Sequence, residues 1–280
     1  MADPGTAGSL PRRPGPTVRV RVTEHRGEQP ERRREDRLAT EEPLEIRLAW
    51  PGRPAQRVWV TMRTPGHDFE LAAGWLAHEG AAPQVAGVAY CTDTDLRPEQ
   101  QFNVVTVTLS APPAATLAHQ HEALSSGSSA CGVCGRDTVD SAVSAAARPW
   151  TGEVVTPEVA RRLPDLLRER QTVFSRTGGV HAAGLATADG RLLVVREDVG
   201  RHNAVDKVSG ARLLAGEPLA EAALVVSGRA GFELVQKAIA AGVGALVAVG
   251  APTSLAADLA TRGGLHLYGF TRGDRTVRYA

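Results

Sequence analysis

The 280-residue sequence is poor in cysteine, with three, and in aromatic residues, at 4%. Three cysteines, an odd number, do not make a disulfide scaffold, so reduced thiols in a cytoplasmic protein are expected. Few aromatics leave little surface on which nucleic-acid bases can stack. A formal net charge of +1 provides no global field toward nucleic acid or an anionic membrane. No run approaches the roughly 20 apolar residues of a membrane helix. Met1 to Pro16 is rich in Gly, Pro, Ala and Arg, lacks the apolar centre of a secretory signal, and reads as a disordered tail over 1–16. Nucleic-acid and membrane partners are therefore not expected. What is present is ordinary for a globular chain with a core: 42% hydrophobic and 22% charged residues. The length suits one large domain or two ordinary ones.

The coarse pattern divides the chain. Val18 to Val22 alternates apolar and charged residues and predicts a strand. Glu31 to Arg37 is a mixed-charge run and reads as a solvated loop. Leu44–Leu48 and Val58–Met62 predict a strand pair, joined through turn residues at Pro51 and Gly52. Phe69, Leu71, Ala72, Trp75 and Leu76 follow at helical spacing and Gly80 ends the helix. Val85–Cys91 and Phe102–Leu109 predict further strands. Together these make a small α+β domain over 17–123. A flexible loop over 124–136 follows, and an α/β domain over 137–280.

In that last part a helix begins at Thr156-Pro157, with Pro at its first position. Arg191–Arg196, Ala222–Val226 and Ala245–Val249 read as strands. Helices near 230–241 and 254–262 alternate with them, a rhythm that implies a largely parallel sheet covered by helices. Leu265–Phe270 and Thr276–Tyr279 form a hairpin through Arg272-Gly273-Asp274-Arg275.

Two of the three cysteines form Cys131-Gly132-Val133-Cys134-Gly135, in a Gly/Ser-rich segment. A thiol pair on a flexible arm can bind a soft metal, cycle as a disulfide or carry sulfur. Arg136 and a helix expected over Thr138–Ala147 would favour the reactive thiolate. Structural zinc needs four ligands, and only Cys91 and His181 are at hand to complete them. Four further segments hold polar groups. Phe174 to Gly184 contains Thr177, Gly178, Gly179 and His181; its paired glycines allow close backbone approach and an anion nest. Arg196 to Lys207 contains Arg201, His202 and Asn203 after a predicted strand. Ser227-Gly228-Arg229 follows another strand, and Gly250 to Ser254 a third. Such strand–helix junctions are where open α/β sheets bind ligands, with helix N–H groups suited to phosphate. Arg176, Arg201, Arg229, Lys207, Arg272 and Arg275 make the expected ligand anionic and large, and a nucleotide-containing cofactor fits that inventory.

These residues resemble the FdhD/NarQ family of sulfurtransferases. The resemblance rests on TPGHDFELAAGWLAHEG, CGVCG, TGGVHAAGL, REDVGRHNAVDKV, SGRAGFELVQKA and GAPTSLAADLA in that order, over about residues 40 to 280. It implies a sulfur carrier that receives sulfur from a cysteine desulfurase as a persulfide on Cys131, with Cys134 assisting. The sulfur then passes to Mo-bis(molybdopterin guanine dinucleotide), bound as substrate, for formate dehydrogenase. The family's cofactor-binding stretch maps onto Phe270, Thr271, Arg272, Gly273, Asp274 and Arg275. The implied fold is a cytidine deaminase-like three-layer α/β/α domain preceded by the smaller α+β domain, and a homodimer is implied. No resident metal is expected. Deamination is disfavoured: a zinc deaminase uses H-x-E followed by P-C-x-x-C, whereas here the Cys pair precedes His181 and Ala183 stands where the carboxylate would be. A non-catalytic chaperone that delivers the cofactor is the alternative function.

Overall fold

The computed structural model describes residues 13–80, 85–91, 100–113 and 150–280. Cys131, Cys134, the expected helix over 138–147 and the boundaries at 123/124 and 136/137 lie outside the described residues.

The first element is an antiparallel hairpin of β1 (Thr17–Glu24) and β2 (Arg32–Ala39), in register from Thr17 opposite Ala39 to Glu24 opposite Arg32. The run read as a solvated loop is thus a strand. Its charges hid the two-residue period because neither face is fully buried. Arg34 meets Glu24 across the pair and Asp36 along it, so opposite charges sit where like charges would repel.

β3 (Glu42–Trp50) and β4 (Arg53–Arg63) turn back on each other at Gly52, whose φ of +81° suits glycine. Helix α1 (Asp68–His78), then β5 (Val85–Tyr90) and β6 (Val104–Leu109), complete a four-stranded sheet in the order β4-β3-β6-β5. Leu71, Trp75 and Leu76 of α1 cover Leu44, Ile46, Leu48, Val105, Val107 and Leu109.

After Trp150 comes α2 (Pro157–Glu169), capped by Thr156, whose hydroxyl accepts from the Val159 N–H. A short α3 (Thr172–Thr177) leads into β7 (His181–Ala186) and β8 (Leu192–Asp198). The chain then alternates α4 (Arg201–Leu214), β9 (Ala223–Val226), α5 (Phe232–Ala241), β10 (Ala245–Ala248) and α6 (Ser254–Arg262). It closes with the predicted hairpin, β11 (His266–Arg272) and β12 (Arg275–Arg278). The sheet order is β12-β11-β10-β9-β7-β8. β8, β9, β10 and β11 run one way, while β7 and β12 run against them, so the sheet is mixed.

Alternate strand residues build two cores. Ala160, Leu163 and Leu167 of α2 meet Ala182, Ala223, Val225 and Val247 on one face. On the other, residues of α4, α5 and α6 meet Leu185, Leu224, Val226 and Leu246. The result is a three-layer α/β/α arrangement.

The two sheets do not stand apart. α1 crosses α4 at Gly74 and Gly210. A Cβ on Gly74 would lie 1.8 Å from the Asp206 carbonyl oxygen, and one on Gly210 1.7 Å from that of Glu70. Only glycine permits that approach. Polar groups flank the crossing. Arg196 donates to both carboxylate oxygens of Glu70, at 2.7 Å for Nη2 to Oε1. His78 Nδ1 lies 2.6 Å from Asp206 Oδ1 and its Nε2 3.0 Å from Ser209 Oγ, and Lys237 reaches the same Asp206 oxygen at 2.6 Å.

Candidate functional site

At the carboxyl ends of the parallel strands lies a cleft of about 680 Å³, a volume within the range of small-molecule sites. Its floor is Val199 after β8, Ser227 after β9, Val249 after β10, and Thr271 and Arg272 at the end of β11, with His181 opening β7 between them. The ends of β8, β9, β10 and β11, expected as ligand-binding junctions or cofactor-contacting residues, thus meet along one polar cleft. Gly178, Gly179 and Val180 form one rim. Gly178 ends α3 with a φ of +65° and donates its N–H to Phe174 O at 2.7 Å, the left-handed cap that glycine favours.

His181 is half-buried. Burial lowers its pKa, and the nearby Arg201 and His202 lower it further, against Asp198; its ring is therefore neutral near pH 7. Gly228 adjoins it, since a Cβ there would lie 3.5 Å from His181 Nδ1. Ser227 accepts the Ala182 N–H at 2.9 Å and so ties β9 to β7 at the cleft floor.

Of the residues expected at the site, Gly178, Gly179, His181, Ser227, Thr271 and Arg272 line the cleft together. Thr177 shapes the rim instead: its hydroxyl accepts the Gly179 N–H at 3.2 Å. The Arg229 stem packs under Gly250. Arg201 and His202 open α4, where His202 Nε2 lies 2.6 Å from Glu233 Oε2 at the start of α5. That contact with His202 holds the Glu233 carboxyl below its ordinary pKa, against burial. Phe270 has a φ of +49°, is 41% exposed, and carries the Arg275 guanidinium 5.2 Å from its ring centroid. Gly273, with a φ of +60°, turns the hairpin beside Asp274 and Arg275.

Asn203 and Lys207 are placed elsewhere. Both are buried at the seam between the two sheets. Asn203 donates to Met62 O at 2.8 Å and to Asp198 Oδ1 at 3.0 Å. Lys207 pairs with Asp198 at 2.6 Å and donates to Thr64 O at 2.8 Å. Their motif is polar because it bridges two units without leaving buried groups unpaired. Arg176 is also outside the cleft, in a second depression with Arg19 and Arg37.

The structure adds a wall that no motif pointed to, Asp165, Leu167, Arg168 and Gln171 of α2 and its exit, beside Phe174 at the start of the singled-out Gly178–Gly179 segment. Their sequence signal is only a helix, and nothing local marks the flank that meets the sheet's end. Glu197 on β8 fixes this corner by accepting the Val173 and Phe174 N–H groups, each at 2.8 Å. Arg272 and Arg168 supply positive charge, and the N-termini of α4, α5 and α6 follow the same strand ends. The cleft thus suits an anionic ligand. Among the described residues no cluster of His, Cys, Asp and Glu could hold a metal ion, and no helix is long and apolar enough to cross a membrane.

A family model described as FdhD/NarQ matches residues 39–280. A protein of Nocardia farcinica described as sulfur carrier protein FdhD is 49% identical over 254 residues, covering 89% of this chain and 88% of its own. Proteins of the same description from Corynebacterium efficiens and Mycobacterium tuberculosis are 47% identical over 258 residues and 45% over 254, covering 88% and 86% of this chain and 90% and 88% of their own. A solved structure described as a formate dehydrogenase accessory protein, from Desulfotalea psychrophila, matches with a TM-score of 0.70 at 22% identity, covering 94% of this chain and 96% of its own. That likeness is one of fold.

Proposed function

This chain belongs to the FdhD/NarQ family, and from that we propose that it is a sulfur carrier in the maturation of formate dehydrogenase. The observation that carries the reading is the pairing of Cys131 and Cys134 in the sequence with a basic cleft at the strand ends, in a chain whose relatives are described as sulfur carriers. The Cys131 thiolate attacks the outer sulfur of a persulfide on a cysteine desulfurase. A new S–S bond forms on Cys131 and the desulfurase cysteine leaves as thiolate. The sulfur then passes to Mo-bis(molybdopterin guanine dinucleotide), the substrate, with Cys134 assisting. This makes the protein a sulfurtransferase.

Arg272 and the helix N-termini bind the substrate's phosphates, and Phe270, Thr271, Gly273, Asp274 and Arg275 extend that contact along the last hairpin. The α/β/α layering is the support for reading this part of the chain as cytidine deaminase-like. The protein works in the cytoplasm, as a homodimer, with cysteine desulfurase and formate dehydrogenase as its partners. The test is mass spectrometry of the full chain after incubation with a cysteine desulfurase and cysteine. A gain of about 32 Da, one sulfur atom, is expected on Cys131 and is lost in Cys131→Ala. A Cys131→Ala variant that still supports formate dehydrogenase activity would instead leave the protein as a cofactor-delivering chaperone.

A further inference from the structure

The β1–β2 hairpin carries its charges unevenly. Its pairing runs without a break from Thr17 opposite Ala39 to Glu24 opposite Arg32, so alternate residues share a face. On one face Arg32 and Arg34 stand with Glu24 and Asp36, and Arg34 pairs with both acids. On the other lie Arg19, Arg21, Arg33 and Arg37, with Glu35 as the acid among them. Arg19 stands directly opposite Arg37, a like-charge pair that opposes strand pairing. Glu35 comes within 4.0 Å of Arg19. The guanidinium groups of Arg21, Arg33 and Arg37 have no hydrogen-bond or ion-pair partner among the described residues.

Helix α3 closes this face into a depression of about 320 Å³, lined by Arg19, Glu35, Asp36 and Arg37 of the hairpin and by Arg176 of α3. The two elements touch at Gly179, where a Cβ would lie 3.4 Å from that of Ala39. Among the described residues this depression and the cleft at the strand ends share no lining residue. Charges that only keep an exposed strand from pairing need neither one sign nor a second element facing them. The planar fork of arginine matches a carboxylate through two parallel hydrogen bonds. Along β1, Arg19 and Arg21 are about 7 Å apart, at about 3.4 Å per residue. Alternate residues of an extended peptide repeat at the same distance, so acids at every second position meet successive arginines. No lining residue is aromatic, and the depression offers no platform for nucleic-acid bases.

We infer that the arginine-bearing face of the hairpin, closed by Arg176, docks an extended acidic segment of a partner protein. Arg37 and Arg176 hold its carboxylates from two sides, and Arg19 and Arg21 continue the contact along β1. A partner held there stands beside the cleft rim at Gly178 and Gly179 without occupying the cleft. This surface needs no assignment of the ligand in the cleft.

The test is fluorescence anisotropy of a labelled peptide of alternating Glu and Thr titrated with the full chain. This peptide is expected to bind at least about tenfold more tightly than its Gln–Thr counterpart. Arg37→Gln and Arg176→Gln each weaken it by about threefold, as partly exposed ion pairs do, and together by about tenfold. Arg191→Gln removes the same charge from the β7–β8 turn and leaves the affinity unchanged. Arg176 is exposed on a separate element, so its variant reports on docking even where Arg37→Gln disturbs the hairpin. Excess GDP, which carries the diphosphate of the cofactor proposed for the cleft, does not displace the peptide. Equal or unmeasurable affinities for the Glu and Gln peptides overturn the docking surface. So does a loss in Arg191→Gln equal to that in Arg176→Gln, which would make the effect one of net charge. Displacement by GDP would place the peptide in the cleft, and tighter binding of oligothymidylate would assign the arginines to nucleic acid; either result overturns the surface and leaves the sulfur-carrier reading standing.

Discussion

Lys207 and His181 sit in motifs of similar polarity yet do different work. Lys207 is 1% exposed and its charge is spent on Asp198, which is fully buried. Lys207→Met would leave that carboxylate buried without its cation, a loss of about 3–5 kcal/mol, measured as a lowered urea midpoint. A midpoint within error of the unsubstituted protein would remove Lys207 from the seam. His181, by contrast, keeps a half-buried neutral ring at the cleft floor. Arg272 is the cleft's charge at the end of β11. Arg272→Ala should weaken GDP binding by about tenfold, on the order of one charge-assisted hydrogen bond, without moving the thermal midpoint. His181, read from its paired glycines, and Arg272, expected from the family resemblance, both line the cleft. Sequence reading misplaced Asn203 and Lys207, whose partners Met62 and Thr64 lie about 140 residues away in the chain.

The α1–α4 pair dominates at the level of elements. Gly74 and Gly210 bring two helix backbones into direct contact, and a methyl at either position overlaps a carbonyl oxygen that cannot rotate away. Gly74→Ala and Gly210→Ala are each expected to cost at least about 1–3 kcal/mol, read as a fall in thermal midpoint; stabilisation by Gly210→Ala, as helix propensity alone would give, would contradict the crossing. The same crossing sets a pH dependence. Burial lowers the His78 pKa and the Lys237 charge adds to this, against the neighbouring Asp206. The folded state thus holds His78 neutral, while the unfolded chain takes up a proton near its ordinary value of about 6.5. Stability from this site is complete above that pH and is lost as pH falls below it. Glu70 adds a second, lower window: burial raises its pKa, but Arg196 and His67 outweigh burial and hold it at about 2. Its contribution is present above its ordinary 4.5 and declines as pH falls toward 2. Urea titrations at pH 7.5 and 5.5 should show the lower midpoint at 5.5, and His78→Gln should shrink that difference; an unchanged difference would exclude His78 as its source. Periodicity in the sequence identified α1 through Leu71, Trp75 and Leu76, since one face repeats. It assigned no role to Gly74, because a glycine inside a helix shows its purpose only against the partner helix. The β2 strand escaped for a related reason: an exposed hairpin carries charges on both faces and so no apolar alternation.

The described residues join a small sheet to a three-layer domain through the α1–α4 crossing and the polar seam beside it, and a corner of the larger sheet is lined by cationic and glycine-bearing strand ends. The proposed sulfur transfer needs both the thiol pair of Cys131 and Cys134 and that corner. Apart from β2, β7 and the short α3, the order of strands and helices and the strand–helix junctions were legible in the sequence. So was the thiol pair. Periodicity and turn chemistry are local and act within a few residues. Which polar groups face a ligand was decided by tertiary structure alone. Asp198, Asn203 and Lys207 turn inward because Met62 and Thr64 wait there with backbone oxygens and amides to satisfy. Gln171 and Asp165 face the cleft because α2 packs across the end of the sheet. Burial is a property of what packs nearby in space, and for these side chains the neighbours come from distant parts of the chain.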